Sequence, residues 1–327
     1  MDLLDRLKMD VPVVQAGMGN LAPARLAAAV AGAGGLGTIG FRSLTGLREQ
    51  IGRFRAEVPD RAVAVNLLMP FATREHVDAA AGERVDVAVL AFGGDAGVVE
   101  RLHDAGVTVA VLVGTVEQAR RALSWGADVL IAQGVESGGH LSGGVDGDVL
   151  LRQVLGVAGG TPVLRAGGIA TREDVRRALQ EGAAAAVAGT RFVLTDECPA
   201  HPAYKQRMLD ATGTQTTTLF GLGWPCRHRV VANAATRRWC TADGRARAVP
   251  RLINSRSAPL ARFAREGDDP GGFIAKQRVG LPLFSPATPI EGMPVEWVER
   301  SALYAGDSAL RIDAVVSAAD AVAGLAP

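Results

Sequence analysis

The run Pro162-Val163-Leu164-Arg165-Ala166-Gly167-Gly168 leads through Thr171 into Arg172–Glu181, stops at Gly182, and resumes as Ala184-Ala185-Ala186-Val187-Ala188-Gly189-Thr190-Arg191. Both ends of this stretch are short, largely apolar segments without polar alternation, the pattern of strands covered on both faces. Between them Thr171 reads as a side-chain N-cap and Gly182 as a stop, so the middle is a helix. Strand, helix, strand, with glycine at each strand end, is the repeat of a parallel α/β protein. Six earlier segments share this character: Val11–Gln15, Leu36–Ile39, Ala62–Leu67, Val85–Ala91, Val107–Val113 and Val129–Gln133. Their starts are mostly 20–27 residues apart, with 33 between the sixth and the seventh. Helical segments fill the intervals, among them Pro23–Ala31 and Val116–Trp125, the latter capped by Thr115 with Gln118 three residues on. Eight such strands predict an α/β fold of the (β/α)8 TIM-barrel type, with a doubly wound open sheet as the alternative.

One motif favours the alternative at first sight. Gly32-Ala33-Gly34-Gly35-Leu36-Gly37 matches the spacing of a dinucleotide-binding loop. That loop follows a strand and opens a helix, whereas this one follows a helix and opens a strand. It therefore reads as a helix C-cap and a tight turn.

Composition narrows the class. Of 327 residues, 48% are hydrophobic and 21% charged, so the chain forms a core and is not a disordered tail. The 40 glycines show no triplet period, which excludes collagen. Aromatics are only 5%, so the core must be built from Ala, Val, Leu and Ile. A net charge of +1 argues against nucleic acid as a partner. The start, MDLLDRLKMD, has no apolar stretch of the signal-peptide kind, and no run is long enough to span a membrane. Cys198, Cys226 and Cys240 are scattered, with no metal-ligand spacing, and fit reduced thiols in a cytoplasmic protein.

The rhythm stops near residue 198. Residues 201–282 carry 14 Lys and Arg against 5 Asp and Glu, together with Trp224, Trp239 and the breaker-rich Gly267-Asp268-Asp269-Pro270-Gly271-Gly272. This predicts three parts: a barrel over 1–200, a smaller, mostly helical lid or substrate domain over 201–300, and a 301–327 segment packing back on the barrel. The basic charge reads either as a solvated helical surface or as a rim attracting an anionic substrate or carrier.

In a parallel barrel the site forms at the C-terminal strand ends. The residues there are Gly17 and Met18 after strand 1, Asn66 at strand 3, Gln133 through His140 after strand 6, Gly167 and Gly168 after strand 7, and Gly189 and Thr190 after strand 8. The last two loops offer bare backbone N–H groups to a phosphate, since glycine permits close approach of an anion. His140 is the catalytic candidate, because it ends a Ser-Gly-Gly run and a histidine ring can titrate near neutral pH; the alternative is a histidine that only bonds a loop carbonyl or the ligand. Glu136 reads equally as a ligand contact or a turn residue. His76, His103 and His201 read as ordinary surface residues. The Trp224–Arg229 loop is expected to border the substrate, with Arg227 and Arg229 supplying charge.

Val14-Gln15-Ala16-Gly17-Met18-Gly19, the Ala132–His140 loop, Ala166-Gly167-Gly168-Ile169-Ala170, Ala188-Gly189-Thr190-Arg191-Phe192 and Tyr304-Ala305-Gly306-Asp307 together resemble the nitronate monooxygenase family, formerly called 2-nitropropane dioxygenases. FMN-dependent enoyl-acyl-carrier-protein reductases share much of this pattern. The resemblance covers residues 11–195 and the 304–307 segment, and 201–300 matches less clearly. It implies FMN, with phosphate on Gly168, Gly189 and Thr190, the ring system against Gly17 and Met18, and Asn66, Gln133, Gly138 and Gly139 around it. The chain departs from the family at Gly17, where Pro is frequent, at Leu141-Ser142, where a basic residue is frequent, and at Arg165, where small residues are common. Three functions follow. One is oxidation of alkyl nitronates by O2 to a carbonyl compound and nitrite, the second is NAD(P)H-dependent reduction of an enoyl thioester, and the third is a flavin-binding partner without turnover. The expected partners are the small-molecule substrate (nitronate or enoyl thioester), O2 or NAD(P)H, and a second copy of the chain in a homodimer. Neither metal, membrane nor nucleic acid is expected.

Overall fold

Each apolar run read as a strand holds one, the third strand running one residue past the end of its run. In the computed structural model, which describes residues 3–259 and 268–327, these are β1 (Val13–Gln15), β2 (Thr38–Ile39), β3 (Ala64–Leu68), β4 (Val87–Ala91), β5 (Thr108–Val113), β6 (Val129–Gln133), β8 (Val163–Ala166) and β9 (Ala185–Ala188). A two-residue strand, β7 (Gly139–His140), lies between β6 and β8 in sequence but outside this sheet. The eight strands pair in parallel in the order β1-β9-β8-β6-β5-β4-β3-β2. A parallel bridge from Val14 to Leu36 brings the two ends together. There the Gln15 N–H donates to Leu36 O at 2.9 Å and the Leu36 N–H to Val13 O at 3.0 Å. The fold is a (β/α)8 barrel.

Helices follow the strands on the outside, and their ends match the residues that marked them. Thr171 accepts from the Asp174 N–H, while Asp174 accepts from the Thr171 N–H, closing a capping box; Gly182 then turns the chain with φ +99°. The Gly32–Gly37 run is the helix end and turn expected. A Cβ on Gly37 would stand 1.9 Å from the Ala27 carbonyl oxygen, so the strand can lie against helix Ala24–Gly32 only with glycine there. The eighth outer place is filled from the chain's end. Helix Ala318–Leu325 packs against both Ala24–Gly32 and Arg172–Gln180.

The barrel interior is small and aliphatic: Val14, Leu36, Ala64, Val87, Ile131, Leu164 and Val187 meet there, joined by Leu3, Leu7 and Met9 from the N-terminal segment. A larger apolar layer between sheet and helices encloses Leu26, Ile51, Phe54, Leu102, Leu150 and Phe192.

The region beyond 200 is mostly helical, as expected, with one addition. Short helices are present (Pro202–Leu209, Ala234–Trp239, Ala248–Ser255, Gly271–Lys276), but so is an antiparallel sheet, β10 (Gln215–Thr217), β11 (His228–Val230) and β7, in the order β10-β11-β7. Its third strand belongs to the loop after β6, and His228 stands opposite His140 in the register. Three-residue strands that find their partner nearly ninety residues away leave no periodic trace in the sequence. This sheet covers its own core, with Leu219, Phe220, Val230 and Phe284 fully buried. Of the Gly267–Gly272 run, Gly267 lies outside the described residues.

Candidate active site

A cavity of about 580 Å³ opens at the C-terminal ends of the barrel strands. Gly17, Met18, Asn66, Gln133, Gly138, Gly139, His140, Gly167, Gly168, Gly189 and Thr190 all line it, so the strand-end rule brings every candidate to one place.

On the barrel side, backbone approach sets the geometry. A Cβ on Gly17 would lie 2.4 Å from the Asn66 Cβ, which accounts for glycine where the resembled family often carries Pro. Gly167 and Gly168 have φ of +104° and +65°, conformations that favour glycine. The Thr190 hydroxyl accepts from the Gly306 N–H at 2.9 Å, and Arg311 holds both Asp174 oxygens (2.8 and 2.9 Å) while also donating to Gly168 O. Residues 304–311 thus clamp the two glycine loops from outside.

The loop after β6 is locked by Arg165. All five guanidinium hydrogens of this buried residue have acceptors: Glu136 at 2.6 Å, Asp148 twice at 3.1 and 3.0 Å, Ala166 O at 2.8 Å and Gly167 O at 2.7 Å. Glu136 also accepts from the Gly147 N–H. It is therefore a structural ion-pair partner that does not line the cavity. Gln133 lines the cavity, but its amide also braces the loop, donating to His140 O at 3.0 Å and accepting from the Ser142 N–H at 2.8 Å.

His140 sits in an aromatic box. Its ring stacks on Trp224 with centroids 3.8 Å apart and an interplanar angle of 21°. His228, Tyr304 and Phe92 stand at 5.2, 5.3 and 6.3 Å. Burial pushes its pKa well below the ordinary 6.5, and the neighbouring His228 adds to the shift. The imidazole is neutral at pH 7, and its buried Nε2 has no hydrogen-bond partner among the described residues. His228 differs. Its Nδ1 pairs with Cys226 O at 3.0 Å, its Nε2 accepts from the Phe220 N–H at 3.3 Å, and burial pulls its pKa down to about 4.

Several expectations change here. Arg229 is not a substrate contact. It donates to Val135 O at 3.0 and 2.8 Å, to the Thr214 hydroxyl at 2.9 Å and to Asp307 at 3.0 Å, fastening three segments together. Arg227 is exposed and lines a separate cleft with Arg245 and Arg251. Of that loop, Trp224 reaches the cavity. His76 and His201 are buried and accept from backbone N–H groups at helix starts, so they are not surface residues. Asn20, in the loop after strand 1, lines the cavity as the strand-end rule has it, and Arg42, Phe92 and Tyr304 line it without having been given a place there by the sequence. Applying the strand-end rule to strands 2 and 4 would have found Arg42 and Phe92, since Phe41-Arg42 and Phe92-Gly93-Gly94 follow those strands.

The sequence model of nitronate monooxygenase matches residues 2–76 and 49–326, nearly the whole chain. The chain belongs to the nitronate monooxygenase family. That match takes in the 201–300 region, where the motif resemblance was weakest. Among curated relatives, a Mycobacterium tuberculosis protein named (3aS,4S,5R,7aS)-5-hydroxy-7a-methyl-1-oxo-octahydro-1H-indene-4-carboxyl-CoA dehydrogenase is 39% identical over 236 residues, 70% of this chain and 65% of that protein. The chain thus spans just under two thirds of the length of that relative. Among solved structures, FabK from Thermotoga maritima superposes with a TM-score of 0.78 at 28% identity, covering 99% of this chain and 94% of that one. A nitroalkane oxidase from Streptomyces ansochromogenes gives 0.75 at 27% identity, covering 97% and 95%. Among the described residues no helix is long and apolar enough to cross a membrane.

Proposed function

We propose that this family member is an FMN-dependent oxidoreductase that oxidises alkyl nitronates with O2 to a carbonyl compound and nitrite. The observation that carries the reading is one cavity holding both a glycine cradle and a neutral, unpartnered histidine nitrogen. The cradle fits a phosphate. The N–H groups of Gly168 and Gly189 take no acceptor among the described residues, and a Cβ on Gly189 would meet nothing closer than 3.7 Å, leaving space over the amide. Gly168, Gly189 and Thr190 would hold the phosphate, with Gly17, Met18, Asn66, Gln133, Gly138 and Gly139 around the ring system and ribityl chain. Bound there, FMN supplies the electron acceptor and the reaction with O2.

The chain's own residues handle position and protons. The His140 imidazole is neutral: in the Nε2–H tautomer it donates to the nitro oxygens, and in the Nδ1–H tautomer its bare Nε2 takes the α-proton when the substrate arrives as a neutral nitroalkane. Trp224, Tyr304 and Phe92 hold the imidazole in place and keep water from it. The division of labour follows the same lines: residues 1–200 bind the cofactor, 201–300 cover the mouth, and 301–327 pack back on the barrel, bringing Tyr304 to the cavity wall.

A second reading is reduction of an enoyl thioester by NAD(P)H, which shares only its CoA-thioester class with the carboxyl-CoA in the name of the 39% identical relative. Anaerobic mixing separates the two. Bleaching of the bound flavin by an alkyl nitronate alone supports the oxygenase, and rapid bleaching by NADPH supports the reductase. A protein purified without flavin, and taking none up, would sink both.

A further inference from the structure

Arg42 follows β2 and lines the cavity with only 7% of its surface exposed. Its Nη1 donates to Asn20 Oδ1 at 2.9 Å and to Phe41 O at 3.1 Å, and Nη2 donates to Asn20 O at 3.4 Å. A guanidinium has five donor hydrogens. The Nε–H and one Nη2–H are left without an acceptor among the described residues. Among the described residues no carboxylate forms an ion pair with Arg42, in contrast to Arg165, whose every donor is taken. The nearby acids are otherwise engaged. Asp268 accepts from the Ser43 N–H at 2.6 Å and the Ser43 hydroxyl at 2.9 Å, and Asp269 accepts from the Gly271 N–H at 2.8 Å. Burial pulls the Arg42 pKa below its usual value, and the charge of Asp268 counters this. A buried cation with open donors in a cavity wall is costly unless a ligand completes it.

The barrel fixes where this group stands. In the ring of eight strands, β2 and β6 are four places apart in either direction, so the strand end that carries Arg42 and the strand end from which the His140 loop leaves stand on opposite sides of the same cavity. A guanidinium edge with two parallel donors matches a planar anion with two oxygens.

We propose that Arg42 is the anion anchor of the substrate site, its Nε–H and Nη2–H holding a planar two-oxygen anion, a carboxylate or a nitronate, across the cavity from His140. Asn20 is its positioning partner, bridging Arg42 to the 268–276 segment by donating to Asp268 O at 2.8 Å. The inference rests on the reading of this cavity as the substrate site.

The test is calorimetric titration of the purified flavoprotein with hexanoate, its neutral counterpart hexanamide, and propyl-1-nitronate, for wild type, Arg42→Gln and Arg42→Lys. The wild type is expected to bind hexanoate roughly 10- to 100-fold tighter than hexanamide, the range of a charge-assisted hydrogen-bonded pair. Arg42→Gln should abolish that preference and Arg42→Lys keep part of it. If Arg42→Gln weakens propyl-1-nitronate in parallel, the anchored anion is the reacting group; if the nitronate is unaffected, it is a carboxylate elsewhere on the substrate. Equal binding of hexanoate and hexanamide by wild type overturns the proposal even if no variant folds. So does loss of flavin from a folded Arg42→Gln protein, which would assign the guanidinium to the cofactor. A wild type that prefers hexanoate but oxidises no nitronate overturns the proposed activity and leaves the anchor standing.

Discussion

The barrel side of the cavity is lined by Gly17, Gly167, Gly168 and Gly189, whereas the other side stacks Trp224 and Tyr304 around His140. The first side works through the backbone. Its glycines sit at strand ends, two of them at positive φ, and what they offer a ligand is amide hydrogens. The second works through side chains brought from separate stretches: β7 from the barrel loop, Trp224 from the turn before β11, and Tyr304 from near the chain's end. A change on the glycine side should therefore act on cofactor retention. A change on the aromatic side should act on proton transfer and stability, with the cofactor kept.

The sharpest way to break this division is Gly189→Asp. The space around Gly189 admits a side chain, so the effect isolates charge from clash. Flavin retention should be lost, with Gly189→Ala retaining far more; a fully flavin-loaded Gly189→Asp protein, by absorbance of the folded material, would overturn the phosphate assignment. Next comes His140→Ala. It should keep flavin but lose roughly 10²–10⁴ in kcat on neutral nitroalkanes, the range of a positioned acid–base group. Preformed nitronates should lose less. Uniform effects below about threefold would reduce His140 to a loop residue.

Arg165 joins the two sides. Arg165→Ala leaves Glu136 and Asp148 facing each other without their cation and should cost about 3 kcal/mol, read from denaturant midpoints. A change below about 0.5 kcal/mol would show that the loop is held by other means. His228 gives a pH signature. Its folded pKa of about 4 lies below the ordinary 6.5, so the unfolded chain takes the proton first as pH falls. This contribution is complete above pH 6.5 and declines toward pH 4, by up to about 1.4 kcal/mol per unit, and His228→Gln should remove it while the parallel contribution of His140 remains. The smallest effect belongs to Arg227→Ala. An exposed residue outside the cavity should change stability by less than about 0.5 kcal/mol and leave KM unchanged, whereas Arg229→Ala should destabilise through its lost contacts with Val135, Thr214 and Asp307.

The barrel and its glycine loops were legible because the signals are local. Apolar runs, Thr115 and Thr171 caps and strand-end glycines each act within a few residues of themselves, and the eight-strand count then places Gly17 beside Gly189. Arg165 shows the limit. Its oddness before a glycine pair was visible, but its reason lies in Glu136 and Asp148 on the loop and helix next to it. The Trp224–Arg229 loop was placed correctly near the mouth, yet which of its side chains turn inward depends on the β11 register.

From the chain alone came the fold, the end of the barrel where the cavity opens, and the set of small residues that line its backbone face, since backbone conformation and burial periodicity are written in neighbouring residues. Only the tertiary structure decided that His140 is a neutral imidazole stacked on Trp224, that His228 is a bonded structural partner, and that Arg42 keeps open donors while Arg165 keeps none. Charge state, stacking and hydrogen-bond completion depend on atoms from segments distant in sequence, and desolvation exists only once those segments have packed.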